Sequence, residues 1–477
     1  MPEISALSGI VPDTPALLAW LHGDDGMVAA GTAARLDIAA PRTGGNSART
    51  NSSAQSNSSA RSAASSRFHD SRFHEARCWW EALLDQATII DDVQLPGTGL
   101  VAFGSFSFSP DSPAGSALIV PQVIVGKRGT STWLTFIGTD ASHPYTSLCT
   151  EAQQLLDAVT STSGMSDATS ADDEGSIMAR ISREIPSEDQ WMDHVAQVRK
   201  SILHGEAEKV VLAREVEFSA EQDLNVRSLI RTLNHDYRNT WVFAVDGMVG
   251  ATPEMLASTL APDDRAAEHQ ATDTVMTRVL AGTLPQDSSS VFLNSPRAPH
   301  EDSDAAFTSS HKDREEHRLA AESAIRALEP LATLTMDGPF ILRLPNVLHF
   351  ATDIYAALHD GVSMFDVIAA LHPTAALGGT PRTAALELIS RIESHDRDRY
   401  GAPVGWICSG GASQWGVALR CARITAARTA RAWVGAGIIA DSLPESELLE
   451  TKAKLQPIMA ALHAEPAEPA ESADPTF

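Results

Sequence analysis

Long strand patterns, separated by helices at irregular intervals, restrict the fold of this chain more than any other feature. Residues 209–220 read KVVLAREVEFSA, and residues 241–254 read WVFAVDGMVGATPE, which predicts a strand, a tight turn and a second strand. Residues 99–125 add further runs with a period of two. Strands and helices do not follow the strict βαβ order, and the chain has no GxGxxG sequence. We therefore predict an α+β fold with large, mostly antiparallel sheets.

Two helices carry clear start signals. Ser187 and Gln190 have capping-box spacing, and the helical apolar face that follows ends at Gly205. Ser442 and Glu445 have the same spacing, which predicts a helix from there through about residue 462.

Polar segments within the chain and at its C-terminal end suggest where the boundaries of the main domain lie. Residues 46–66 contain nine serines and almost no large side chain, so they cannot bury enough surface to offset the entropy of ordering. Residues 285–310 resemble a long surface loop. We predict an N-terminal segment of the fold (1–45), a disordered insertion (46–75), a main domain (76–462, with its motifs in 187–462) and a disordered acidic tail (463–477).

Composition excludes two classes of partner. The formal charge is −25, which works against nucleic acid, because phosphate binding needs clustered Lys and Arg, and against an anionic membrane surface. No run of apolar residues is long enough to span a membrane, and the N-terminus lacks a signal-peptide pattern. The four cysteines are widely spaced, which is typical of free thiols. We expect a cytoplasmic protein, whose site must override the global charge if its substrate is an anion.

Two pairs of carboxylates have the spacing that places them on one helix face. Asp313 and Glu316 lie within the helical pattern of residues 312–331, and Glu447 and Glu450 lie in the last predicted helix. Four carboxylates that converge from two helices would form an oxygen site suited to Mg²⁺. Such pairs are also common on solvated helix faces, so the spacing leaves both interpretations open.

Four other polar residues stand in unusual surroundings. Lys209 opens an apolar strand, where a lowered pKa would make it a general base, although it can equally extend into solvent. Glu254 follows a proline in a turn and is either a buried acid or an exposed loop carboxylate. His349 is either a core histidine or a ligand contact. Arg420 lies within a strand pattern and needs an anion, from substrate or protein.

Glycine clusters complete the pattern. They occur at 280–283 (LAGT), 376–382 (ALGGTPR) and 435–438 (GAGI), each near the end of a predicted element. Glycine permits close approach of the backbone, and its N–H groups can hold carboxylate oxygens. Each cluster alone is also consistent with a plain turn.

The order of these motifs resembles the chorismate-utilising enzymes, and among them the isochorismate synthases most. The resemblance rests on ten blocks in sequence: KVVLAR, GATPE, LAGT, KDREEH, VLHFATD, LHPTAALGGTPR, RYGAPVGW, LRCARI, GAGI and SELLETKAK. It covers roughly residues 190–462. It implies one large domain with two big antiparallel sheets, flanked by helices, and an active site between them.

The resemblance also assigns roles to individual residues. Lys209 matches the general base and Glu254 the general acid. Glu316 and Glu450 match magnesium ligands, supported by Asp313 and Glu447. Positions that hold substrate are matched by Gly282, Thr283, His349, Thr352, Tyr400, Arg420, Gly435, Ala436, Gly437 and Lys454.

The implied reaction is the Mg²⁺-dependent conversion of chorismate to isochorismate, which adds water at C2 and expels the C4 hydroxyl. Family members that use ammonia lack the lysine at position 209, so no glutaminase subunit is expected, and we expect a monomer. The alternative is a salicylate synthase, which eliminates pyruvate as well. A silent chorismate- or metal-binding homologue is disfavoured, because Lys209 and Glu254 are both present. The product would enter menaquinone or catechol siderophore biosynthesis.

Overall fold

The computed structural model describes residues 7, 11, 17–40, 70–138, 179–260, 274–285, 311–344 and 347–465. Of the predicted loop at 285–310, all residues after Pro285 lie outside these residues, as do most of the predicted disordered insertion and tail. Within the described residues, no helix is long and apolar enough to cross a membrane.

Eleven strands of the described chain form the first sheet. They are β1 (Leu18–His22), β2 (Asp25–Ala30), β6 (Val123–Arg128), β7 (Ser131–Phe136), β8 (Ala179–Ile185), β9 (Lys209–Ala220), β10 (Trp241–Val245), β11 (Met248–Thr252), β16 (Gly379–Thr380), β19 (Cys421–Ala426) and β20 (Thr429–Ile438). The order is β16-β9-β20-β19-β11-β10-β1-β2-β6-β7, and β8 also pairs with β9.

Nine strands of the described chain form the second sheet. They are β3 (Ala34–Ile38), β4 (Val101–Ser105), β5 (Ser116–Val120), β12 (Met255–Ser258), β13 (Thr274–Pro285), β14 (Ala332–Leu344), β15 (Val347–Leu358), β17 (Pro403–Cys408) and β18 (Ser413–Val417). The order is β14-β15-β13-β12-β18-β17-β4-β5-β3. The strand pairings in both sheets are antiparallel, which confirms the predicted α+β class with two large sheets.

The described helices cover the outer faces of the two sheets. They are α1 (Ser71–Gln86), α2 (Glu188–Leu203), α3 (Val226–Asp236), α4 (His311–Leu328), α5 (Met364–Leu371), α6 (Arg382–Ile392) and α7 (Pro444–Ala461). α3 and α7 contribute to the core outside the first sheet, and α1 and α5 to the core outside the second. Trp20 and Trp433 from one sheet meet Phe103 and Trp406 from the other in the core between them.

Of the two predicted helix starts, one is confirmed and one is wrong. At Ser187 and Gln190 the capping box is formed in both directions, and Gly205 ends the region with φ of +82°. The box predicted at Ser442 is wrong, because α7 begins at Pro444 and its cap, Leu443, makes no side-chain hydrogen bond. Proline suits the first helical position, since its missing N–H needs no partner there.

The predicted end of the disordered insertion is also wrong. The boundary was expected at residue 75, but α1 begins at Ser71. Its N-cap, Asp70, accepts a hydrogen bond from Arg72 N at 3.2 Å, which satisfies one of the free N–H groups of the first turn. Buried Phe73 and Trp80 then fix this helix against the second sheet.

Candidate active site

The site forms where two segments cross from one sheet to the other. β11 ends at Thr252 in the first sheet and β12 begins at Met255 in the second, so Glu254 lies in the crossing. Arg420 lies in the reverse crossing, from β18 to β19. The crossings are hydrogen-bonded side by side. Val417 N donates to Glu254 O at 3.0 Å, and Ala251 N donates to Arg420 O at 3.1 Å.

Arg420 corrects one prediction. It was expected within a strand pattern, but it occupies a bend with φ of +48°, where a side chain with a Cβ is strained by an amount on the order of 1 kcal/mol. A strained residue of this kind often marks a functional site. Burial lowers the pKa of the guanidinium, and the charges of Tyr400 and Glu450 partly oppose this effect. The partly desolvated cation is suited to hold an anion.

Lys209 opens β9, as predicted, and its side chain lies over a glycine of the neighbouring strand. A Cβ added to Gly437 on β20 would lie 2.8 Å from Lys209 Cε and 3.5 Å from Nζ. The GAGI glycines therefore leave the space that the lysine occupies. The backbone of Lys209 is fixed by pairing with Thr380 of the ALGGTPR segment.

A second cation reaches the same strand from α7. Lys454 Nζ donates to Gly435 O at 2.9 Å and to Glu450 Oε1 at 2.5 Å. Burial lowers the pKa of this ammonium, while Glu450 raises it. A Cβ on Gly435 would lie 3.3 Å from the hydroxyl of Tyr400, so this glycine admits the buried phenol, whose pKa burial raises. Ala436 lies between Gly435 and Gly437 in the sequence. Its side chain is fully buried on the opposite face of the strand, against the core formed with α2 and α6.

Glu254 is the acid among these cations. Burial raises the pKa of its carboxyl to about 7, although Lys209, Lys454 and Arg420 each act to lower it. The charges of these three predicted residues therefore act on the Glu254 carboxyl. At neutral pH a substantial fraction of this carboxyl is therefore protonated.

The remaining predicted residues lie on β13, β15 and the two carboxylate-bearing helices. Gly282 and Thr283 lie on β13 at a register shift, and Thr283 pairs with His349 of β15. The side chains of Thr283 and His349, and those of Asp313 and Glu316 on α4, are outside the described part of the structure.

Thr352, in contrast, is described. It is buried, and its hydroxyl lies 2.7 Å from Nε2 of His317 on α4. Sequence reasoning missed His317, although it stands within the KDREEH block beside Glu316.

The described half of the predicted metal site is on α7. Glu447 is partly exposed and Glu450 is exposed, and their spacing places them on one face of the helix. Among the described residues, which omit the side chains of Asp313 and Glu316, no group of three candidate ligands comes together. The predicted convergence of all four carboxylates therefore stays a prediction.

A buried ion pair, also missed from the sequence, supports the lysine strand. Arg397 and Glu393 form two contacts of 2.8 and 2.6 Å. Arg397 Nη2 donates to Val211 O at 2.6 Å, and Glu393 Oε1 accepts from Ala213 N at 2.7 Å. These two backbone groups of β9 lie in the interval between its pairings with β16 and β8. The Arg397–Glu393 ion pair therefore supplies the hydrogen bonds that a neighbouring strand would otherwise make to this part of β9. Arg397 also donates to Leu377 O at 3.0 Å, which holds the ALGGTPR segment.

Comparison with known proteins identifies the family of this chain. Residues 48–463 match the model of the family described as chorismate binding enzyme. The chain belongs to the chorismate-binding enzymes. This enzyme is 28% identical to isochorismate synthase MenF of Bacillus subtilis, over 83% of this chain and 82% of that protein. It is 34% identical to a putative isochorismate synthase MenF of Mycobacterium tuberculosis, over 60% of this chain and 76% of that protein.

Among solved structures, this chorismate-binding enzyme is similar to the menaquinone-specific isochorismate synthase MenF from Escherichia coli. The TM-score is 0.66 at 22% sequence identity, and the match covers 96% of this chain and 91% of the other. At that identity the likeness concerns the fold, and it extends over both sheets.

Proposed function

We propose that the enzyme is an isochorismate synthase, which adds water at C2 of chorismate and removes the C4 hydroxyl. The observation that carries the proposal is a carboxyl whose pKa is raised to about 7 by burial, placed among the cations Lys209, Arg420 and Lys454. The names of the similar proteins from Bacillus and Mycobacterium support it.

Lys209 and Glu254 would perform the two proton transfers. Lys209 takes a proton from water as the water oxygen attacks C2. The C4–O bond breaks, its electron pair goes to the departing oxygen, and Glu254 gives that oxygen its proton. The raised pKa of Glu254 keeps the acid form present at neutral pH. Each transfer is worth about 10²–10⁴-fold in rate.

The remaining cations would bind the dianionic substrate. Arg420 and Lys454 are partly desolvated, so their attraction for a carboxylate is less screened than at an open surface. The hydroxyl of Tyr400 and the backbone at 435–437 lie beside them and can add hydrogen bonds. This local positive field would explain how a chain with a formal charge of −25 accepts an anion.

The residues present are consistent with Mg²⁺. Glu447 and Glu450 supply oxygen ligands on one face of α7, and the charge of Glu450 is felt by Arg420 and Lys454 at the proposed substrate position. With Asp313 and Glu316 of α4 they would hold the ion, which when bound would neutralise a substrate carboxylate. Lys454 at present pairs with Glu450, and it would also limit repulsion between the carboxylates.

Incubation of the purified protein with chorismate and Mg²⁺ tests the proposal. We expect isochorismate by chromatography, without ammonia and without a glutaminase subunit. Salicylate with pyruvate would favour the salicylate synthase alternative, and unchanged chorismate would reject both. We also propose a monomeric, cytoplasmic enzyme, which size-exclusion chromatography and cell fractionation would check.

A further inference from the structure

A gap in the second sheet lies directly behind Glu254. β12 and β13 pair only at Ser258 and Met276 within the described residues, whereas β13 pairs with β15 along its whole length. Towards Glu254 the two strands therefore separate. A cavity of about 210 Å³ occupies the gap, between Glu254 and Leu256 on one side and Thr277 and Leu280 on the other.

The cavity continues through the sheet to the outer helices. Its far wall includes Ala324 and Ala327 of α4 and Leu371 of α5. Arg326 and Arg382 also line it, and both are exposed. The cavity thus runs from the acid on the inner side of the sheet towards the protein surface.

Its wall carries a polar group in need of a partner. Thr374 lines the cavity, and its hydroxyl is buried without a hydrogen-bond partner within the described chain. Buried polar groups are almost always hydrogen-bonded, either to protein or to ordered water. Since one water takes about 30 Å³ of liquid volume, the space is large enough for several.

The cavity is poorly suited to the substrate itself. Neither Lys209 nor Arg420 nor Lys454 lines it. The arginine nearest the acid on β13, Arg278, is bound by both carboxylate oxygens of Asp353, at 2.6 and 2.7 Å. The other two arginines of the wall, Arg326 and Arg382, are exposed, and Arg326 lies 3.4 Å from Glu322, so solvent screens their attraction for a dianion.

We infer that this cavity is a water chamber that connects Glu254 with solvent. The inference rests on the proposed function, in which the oxygen leaving C4 accepts the proton of Glu254 and becomes water. That water needs a route away from the acid, and the resulting carboxylate needs a new proton. Lys209 holds the proton taken from the attacking water, so it must lose one to solvent before the next turnover. The chamber receives the expelled water and delivers a solvent proton to Glu254.

Two variants reduce the water content by different means. Ala324→Leu fills space. Thr374→Val keeps the volume but removes the hydroxyl, and it should not destabilise the fold, because that hydroxyl has no protein partner among the described residues. Ala324→Ser leaves the volume nearly unchanged. Ala196→Leu on the exposed face of α2 and Thr335→Val on β14 are controls outside the chamber.

The decisive measurement is the titration of Glu254 by infrared spectroscopy, with its band assigned by its absence in Glu254→Gln. It needs no turnover, so it remains informative if the proposed activity is wrong. With less water around it, the carboxyl should titrate higher by about one pH unit in both chamber variants. Ala324→Ser and both controls should match the wild type. An unchanged titration in Ala324→Leu and Thr374→Val, with folding intact by circular dichroism, would overturn the inference.

Isotope retention supplies a second readout. Chorismate labelled with ¹⁸O in the C4 hydroxyl loses its label when the expelled water escapes before the reverse reaction. Chamber variants should retain more label in recovered chorismate per turnover, by about threefold for a barrier increase of 0.6 kcal/mol. Equal retention in wild type and both variants contradicts a role in water release.

Discussion

The two halves of the site are built in opposite ways. The half that carries Lys209 lies on β9 and β20, which pair without a register shift from Ser219 and Thr429 to Val210 and Ile438. The half that carries Glu254 lies where β12 leaves β13 after a single pair and shifts register against β18. A regular strand fixes the position of the base. In the other half, burial beside an opened sheet raises the pKa of the acid.

Removal of the base should have the largest effect on the regular half. Lys209→Ala should lower kcat by about 10²–10⁴-fold, because no other group takes the proton from the attacking water. The thermal midpoint should change little, since the side chain lies over the small Gly437 and not in the core. Turnover near the wild-type level would remove the assignment of Lys209 as base.

The ion pair behind β9 should matter most for stability. Arg397→Met leaves the Glu393 carboxylate buried without its cation, which typically costs about 3–5 kcal/mol. The matched control is Arg428→Met, whose pair with Asp223 is exposed and worth at most about 1 kcal/mol. Urea unfolding measures both losses, and equal losses would show that the pair does not support the strand.

In the half of the site that carries Glu254, the stability should depend on pH. The pKa of Glu254 is about 7 in the folded protein, against an ordinary value of 4.5, so the folded state binds more protons between these values. The contribution of Glu254 to stability therefore falls as the pH rises from about 4.5 through 7, by about 3 kcal/mol in total.

Glu254→Gln should remove this dependence. Its free energy of unfolding, measured against the wild type, should rise between pH 5 and pH 8, whereas exposed Glu387→Gln should give a flat difference. A flat difference for Glu254→Gln would mean that its pKa is not raised by folding.

The same contrast explains what could be predicted from sequence. The strands that carry Lys209 and Gly437 have regular apolar patterns, so their class and the position of the base could be predicted. The conformation of Arg420 could not, because a crossing between sheets and a strand give similar residue patterns. Arg397 and Glu393 escaped notice because a buried ion pair between a helix end and a loop has no periodicity. The gap beside Glu254 depends on which strands pair, and that is a property of the whole sheet.

The smallest expected effect tests how closely the backbone controls the base. Gly437→Ala places a methyl group 2.8 Å from Lys209 Cε and 3.5 Å from Nζ, so the lysine must move. The obstructing atoms belong to the end of a flexible side chain, so the cost in stability should stay below about 1 kcal/mol. A misplaced base should nevertheless lower kcat by about tenfold, equivalent to 1.4 kcal/mol, with KM less affected.

Gly410→Ala provides the control for this last variant, since its new methyl group meets only Cys408 Sγ at 3.9 Å. If Gly437→Ala kept the kcat of the wild type, Lys209 would still act as a base after its side chain had been displaced. The base would then be positioned by the substrate and not by β9 and β20, and the difference between the two halves would reduce to the pKa of Glu254.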